Sequence, residues 1–257
     1  MEILGVGLTD VGCKREHNED AFLCDLSEQL FIVADGMGGR AAGETASQAV
    51  ITVLPVMLHE NMQALHEPSP SSITYMLGKT LCELSQNLYQ EAQDLPEIKG
   101  LGSTAVLLFV RNGMAYIGCA GDSRVYLLRD QRLTQVTKDQ TIAAALVRTG
   151  HLSPEKVSSH PLSHALEEYI GKEGDLNPGV WCKRLQPGDR WLLCSDGLTK
   201  GITDQELQPL LLRHSSREEL CQLLITQAKD RDGSDNITVI LVDVIEKNIT
   251  SSAGRNT

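Results

Sequence analysis

Short, nearly continuous apolar runs alternate along the chain with longer stretches of helical periodicity. The runs LFIVAD (30–35), STAVLLFV (103–110), MAYIGCA (114–120), RVYLLR (124–129), RWLLCS (190–195) and NITVILVDV (236–244) read as strands. Apolar residues on both faces suit strands that are covered on both sides. Asn112-Gly113 offers a two-residue turn in which both positions tolerate positive φ, so strands 103–110 and 114–120 are expected to be antiparallel neighbours. Such hairpins argue against a parallel, dinucleotide-binding type of sheet.

Helical spacing marks 43–60 and 72–92, the second through Ile73, Met76, Leu77, Thr80, Leu81, Leu84 and Leu88. Pro55 is expected to kink or shorten the first. Two capping boxes, Thr203 with Glu206 and Ser216 with Glu219, open a later helical group in which Leu220, Leu223, Leu224 and Ala228 share a face. Helices between and after blocks of strands predict an α+β fold of two stacked antiparallel sheets with helix pairs outside. Segment 139–179 has helical pieces, including a Ser153-Pro154 start, but few strand signals; an excursion this long is often functional. No repeat or low-complexity linker interrupts the chain, so 1–245 reads as one domain and the polar tail 246–257 as disordered.

Composition narrows the function classes. The 257 residues are 41% hydrophobic, an ordinary globular balance. A net charge of −11 opposes binding to nucleic acid or anionic membranes. The seven cysteines are odd in number, lack a C-x-x-C pair and mostly lie in apolar runs, so they read as reduced core residues of a cytoplasmic protein. The N-terminus MEILGVGLTD has no basic region before Asp10, and no apolar run approaches the ~20 residues of a membrane helix. Export and membrane insertion are therefore not expected, and the N-x-T sequons at Asn236 and Asn248 read as chance matches.

The informative acids stand at strand edges. Asp35-Gly36 follows LFIVA, Asp196-Gly197 follows WLLCS, Asp235 precedes NITVILV, Asp122 lies in a GDSR turn, and Glu19-Asp20 precede AFLCD. With the strands side by side these carboxylates would converge. Two carboxylates about 4 Å apart repel by roughly 4 kcal/mol at an effective dielectric near 20, so a cluster needs positive charge. Sequence-local basic partners are few, and an all-oxygen donor set suits magnesium or manganese better than zinc. Turn chemistry is the better account of any one Asp-Gly pair, and only the five acidic motifs taken together bring metal binding level with it.

At these residues the chain resembles the metal-dependent Ser/Thr protein phosphatases of type 2C, the PPM family, in its bacterial branch. The resemblance spans 1 to about 244, with TDVGCKREHNEDAF (9–22), FIVADGMGGRAAGETAS (31–47), GSTAV (102–106), AGDSRVYLL (120–128), LLCSDGL (192–198) and DGSDNITVILV (232–242) in family order. It implies a four-layer α/β/β/α sandwich with 139–179 as a flap beside the active site. It further implies two Mg or Mn ions and a third, weaker one. Asp35 then resembles the bridging carboxylate, Asp196 and Asp235 complete one ion's ligands, and Glu19 with the Gly36 carbonyl serve the other. Asp122 with Asp196 matches the third site, Asp20 a supporting acid, and Asn236 a group that orients Asp235. Arg15 matches the arginine that forks onto substrate phosphate.

The implied reaction is one-step hydrolysis of phosphoserine or phosphothreonine in proteins by a hydroxide bridging the metals, reversing a Hanks-type Ser/Thr kinase. Cys194 and Ser195 read as strand packing and not as nucleophiles. Bacterial members usually carry His after DGMGG; here Arg40 stands there and cannot give up its proton near neutral pH, so a contact to phosphosubstrate is the expected role. His151, His160 and His164 in the flap read as surface or packing residues. A monomer is expected. A non-catalytic phosphoprotein-binding module and a small-molecule phosphomonoesterase are the competing functions.

Overall fold

A computed structural model of the chain describes residues 1–38, 40–94, 100–157 and 159–247, with the side chains of 40, 41 and 94 also outside the description. Most of the tail read as disordered lies beyond it. Strands β1 (Glu2–Asp10), β11 (Ile237–Ile245), β10 (Arg190–Cys194), β7 (Arg124–Arg129) and β8 (Arg132–Gln135) form one antiparallel sheet in that order. The second runs β2 (Asp20–Asp25), β3 (Leu30–Met37), β5 (Ala105–Arg111), β6 (Met114–Ala120) and β9 (Gly179–Arg184), with β4 (Gly102–Ser103) pairing the end of β3. The Asn112-Gly113 turn forms as expected, with φ of 51° and 72°, and joins antiparallel β5 and β6.

The run 103–110 is not one strand. Thr104 interrupts it, donating its N–H to the Asp35 carbonyl at 2.8 Å and accepting the Asp35 N–H on Oγ1 at 3.0 Å. That exchange pins the end of β3, where Asp35 stands. Strands β1, β2, β8 and β9 had no counterpart in the apolar pattern, and all four are sheet edges. An edge strand is covered less completely, so its sequence does not read as a continuous apolar run.

Helices α1 (Arg40–Gln63) and α2 (Pro70–Asp94) cover the second sheet. Pro55 neither ends nor shortens α1, although its ring removes one helix hydrogen bond. Val50, Leu54 and Leu58 are buried on either side of it against the sheet, and this packing holds the helix through the proline. The first sheet is covered by α4 (Asp196–Gly201), α5 (Asp204–Leu211) and α6 (Arg217–Arg231), three helices where a pair was expected. Both capping boxes form, at Thr203–Glu206 and Ser216–Glu219. Between the sheets lies an apolar layer including Phe31, Val33, Leu108, Ile117, Trp191, Ile240 and Val242, all fully buried. Each such side chain contributes roughly 1.5–3 kcal/mol by burial. The order of layers is α/β/β/α.

The excursion 139–179 contains α3 (Ile142–Arg148), capped by Thr141 Oγ1 accepting from Ala144 N–H at 3.2 Å, and a 3-10 turn at Pro154–Lys156. It closes on itself through bridges Thr141–Leu166 and Ser103–Ile170, which return it to the end of β4. Its base is thereby fixed beside the strand ends that carry Asp35 and Asp122. The cysteines are free: Cys119, Cys194 and Cys221 are buried, Cys24, Cys82 and Cys182 half-buried, and Cys13 is exposed, so the core reading fails there.

Candidate active site

Both sheets deliver acids to one end of the sandwich. In the second sheet Asp20 lies opposite Asp35 in the β2–β3 register, and the Gly36 N–H donates to the Glu19 carbonyl at 3.1 Å. Glycine is required here by close approach. A Cβ on Gly36 would strike the Gly43 carbonyl in α1, and one on Gly43 would strike Glu19 Oε2. The first turns of α1 thus press the Glu19 carboxylate toward the end of β3. From the first sheet, Asp122 sits in the turn between β6 and β7, Asp196 opens α4 directly after β10, and Asp235 precedes β11.

Three groups stitch the halves together. The Asn236 side chain accepts the Glu19 N–H at 2.8 Å and donates to the carbonyls of Val11 and His17 at 3.0 and 2.9 Å. Ser195 Oγ and Thr238 Oγ1 each donate to Asp20 Oδ2 at 2.7 Å, while Ser195 Oγ accepts the Thr238 N–H at 3.0 Å. A cleft of about 480 Å³ results, lined by Arg15, Glu19, Asp35, Gly36, Asp122, Asp196, Asp235, His164 and Lys200. It joins a second of about 850 Å³, running beneath the 139–179 excursion, at Asp122, His164, Asp196 and Lys200.

The charges in this cleft are unevenly compensated. Burial, reinforced by Asp20, Asp196, Asp122 and Asp235, holds the Asp35 carboxyl well above the usual carboxylate range. Burial likewise lifts Asp20 to about 7 against the opposing hydroxyls of Thr238 and Ser195, and lifts Asp122 to about 7 with Asp196 and Asp139 adding to the effect. Asp235 is paired with Arg15 at 2.9 Å and with Lys200 at 2.8 Å, and Lys200 also pairs with Asp196 at 2.6 Å. Burial alone would lower the Lys200 ammonium, but Asp196 and Asp235 raise it above its ordinary value.

Two buried oxygens, Asp20 Oδ1 and Asp196 Oδ1, have no hydrogen-bond partner. Buried polar atoms are almost always satisfied, and unpartnered carboxylate oxygens among crowded acids suit a hard cation, as its ligand at Asp196 and as an acceptor for its water at Asp20. The residues present therefore fit divalent metal. Asp122, Asp196 and His164 also present ligand atoms within 4.8 Å of one another, and His164 Nδ1 stands 3.8 Å from Asp196 Oδ2. His164 thus lies at the rim of the site, and its side chain, 66% accessible, keeps the surface character expected of it; His151 and His160 are engaged locally by Thr149 and the Leu162 N–H.

Residues 13–236 match the family model described as Protein phosphatase 2C. The chain belongs to the protein phosphatase 2C family. A curated relative, the serine/threonine phosphatase stp of Listeria monocytogenes, is 34% identical over 238 residues, covering 91% of this chain and 93% of the relative. The solved serine/threonine phosphatase of S. agalactiae superposes with a TM-score of 0.84 at 28% identity, over 94% of this chain and 99% of that one. The catalytic domain of the phosphatase PstP, solved with two manganese ions, has a TM-score of 0.75 at 29% identity, over 95% and 99% of the chains. The family and fold read from the six motifs are borne out.

Several details of this protein phosphatase 2C chain differ from the sequence reading. Lys200 was missed; its position four residues after Asp196, on the next helical turn, was the available signal. Ser195 does more than pack, because its hydroxyl bonds Asp20, whereas Cys194 is buried in the α4–α6 core as expected. The Asn236 side chain holds the 11–19 loop and does not touch Asp235, which is oriented instead by the Asn236 backbone N–H at 3.0 Å. Asp196 stands at the start of a helix and not in a turn. Arg40 begins α1, but its side chain lies outside the described residues.

Proposed function

We propose that the chain hydrolyses phosphoserine and phosphothreonine in proteins at a Mg or Mn site formed by Glu19, the Gly36 carbonyl, Asp35, Asp196 and Asp235, with Asp122 and Asp196 taking a third ion. The reading rests on one observation: a family match across most of the chain coincides with crowded carboxylates whose buried Asp20 Oδ1 and Asp196 Oδ1 lack partners. Asp35, whose carboxyl is acted on by aspartates of both sheets, would be the ligand shared by the ions. When bound, the ions supply an acidified water as nucleophile and positive charge for the phosphoryl oxygens.

The chain's own groups orient and hold. Arg15 is half exposed, with a side chain 48% accessible, so its guanidinium can leave Asp235 and fork onto a phosphate dianion. Asp20 is fixed by Ser195 and Thr238, which leaves Oδ1 as an acceptor for water. Segment 139–179 is the flap that selects the phosphoprotein, since it roofs the cleft beside Asp122 and His164. Arg40 contacts the phosphosubstrate. The physiological setting is a cytoplasmic, monomeric enzyme, one domain over 1–245, opposing a Ser/Thr kinase; no helix among the described residues is long and apolar enough to cross a membrane.

The test is manganese-dependent hydrolysis of a phosphothreonine peptide and of p-nitrophenyl phosphate, with chelator and Asp35→Asn controls. Both substrates are expected to turn over, and both activities to be lost in the controls. Inactivity of folded, metal-loaded protein would favour a binding module, and turnover of the aryl ester alone a small-molecule phosphomonoesterase.

A further inference from the structure

Lys200 is the feature that the proposed chemistry leaves unused. It projects from the end of α4 back onto Asp196, four residues earlier, with the acid N-terminal to the base as such helical pairs prefer. Its Nζ also reaches Asp235, which comes from the loop before β11, so one ammonium ties two elements at 2.6 and 2.8 Å. The side chain is only 22% accessible and lies where the two clefts meet. Lysine holds its charge as a compact point with three donors, which can occupy the space of a small cation between carboxylates.

We propose that Lys200 is a built-in counter-cation that competes with the divalent metal for Asp196 and Asp235. The inference rests on the reading of these acids as metal ligands. In the metal-free protein the ammonium takes Oδ2 of both aspartates and so limits the repulsion between them. A divalent ion recruited to the same two carboxylates would stand a few ångströms from this ammonium even if it took the unpartnered Oδ1 of Asp196, and the two like charges oppose each other's binding. Apparent metal affinity is therefore set below what the carboxylates alone would give. The same contact ties α4 to the loop before β11, at the point where the two clefts meet. Among the described residues Asp20 and Asp35 have no equivalent cation, and the competition belongs to the half of the site built by Asp196 and Asp235.

The experiment is calorimetric titration of Mn²⁺ into metal-free wild type and Lys200→Met, with thermal unfolding of both in chelator. Lys200→Met is expected to bind Mn²⁺ at least tenfold more tightly and to melt at a lower temperature without metal. Amine-reactive labelling of wild type, read by mass spectrometry, needs no variant: Lys200 is expected to be modified several-fold faster in the Mn²⁺-loaded protein than in the metal-free one. Unchanged or weaker Mn²⁺ binding by folded Lys200→Met would overturn the inference, as would Lys200 labelling that metal does not accelerate. Wild type that binds no Mn²⁺ at all would instead overturn the underlying reading of the site.

Discussion

The two halves of the acidic cleft solve the same electrostatic problem differently. On the second sheet, Asp20 and the part-buried Asp35 stand opposite each other, with hydroxyls and backbone groups for company but no cation among the described residues. On the first, Asp196 and Asp235 share Lys200, and Asp235 also holds Arg15. Asp196 and Asp235 are compensated by side-chain cations, whereas burial favours the protonated carboxyls of Asp20, Asp35 and Asp122. The difference locates the strongest demand for a divalent ion at Asp35, which feels four other aspartates and has no ion pair among the described residues.

Removing that demand is the largest perturbation available. Asp35→Asn is expected to lower phosphopeptide turnover by roughly a thousandfold or more, since the carboxylate is the proposed bridge between ions. The same variant should melt higher than wild type in chelator, because Asn needs neither the charge nor the proton uptake that folding imposes on Asp35 at neutral pH. A metal-free Asp35→Asn protein less stable than wild type would show that Asp35 is already compensated, and the contrast between the halves would collapse.

A pH series sharpens the contrast next. Asp20 and Asp122 move from 3.8 to about 7 on folding, so the folded state holds protons that the unfolded chain releases. The stability that these two groups contribute without metal is thus full below about pH 4 and is lost as pH rises toward 7, by up to about 4 kcal/mol for each group taken alone. Melting temperature in chelator should fall between pH 5 and 8, while saturating Mn²⁺ should abolish or reverse the slope. A flat profile in chelator would contradict the protonated half.

Smaller effects test the stitching. Asn236→Ala should weaken Mn²⁺ binding by about 10–100-fold, because the Glu19 N–H and two loop carbonyls lose their partner. Ser195→Ala leaves the Thr238 N–H and one Asp20 contact unmade, which should cost about 1–3 kcal/mol in urea unfolding with a lesser effect on rate. Cys194→Ala, confined to the α4–α6 core, should leave kcat unchanged; loss of turnover there would revive a thiol nucleophile.

Much of this was legible in the chain, unevenly. Central strands announced themselves because β3, β5, β6, β7, β10 and β11 are buried on both faces, and Asn112-Gly113 fixed the β5–β6 pairing. The four edge strands did not, since half-exposed residues such as those of β1 and β9 carry no continuous apolar signal. In the site, the acids could be listed from their positions beside strand ends, but their division into a side-chain-paired half and an unpaired half is tertiary. It depends on α4 beginning at Asp196, which turns Lys200 toward Asp235, and on Ser195 and Thr238 meeting at Asp20 from neighbouring strands. The behaviour of Pro55 also escaped the sequence, because packing of Leu54 and Leu58 outweighed one lost helix bond.

The most direct test of the central claim, that both sheets build a single divalent-metal site around Asp35, is the stoichiometry of Mn²⁺ bound at equilibrium by wild type and Asp35→Asn. Wild type should bind at least two ions per chain, and Asp35→Asn should lose tight binding of both, because one carboxylate joins the two halves. Independent binding, with one ion retained at full affinity by Asp35→Asn, or no Mn²⁺ bound by wild type, would contradict it.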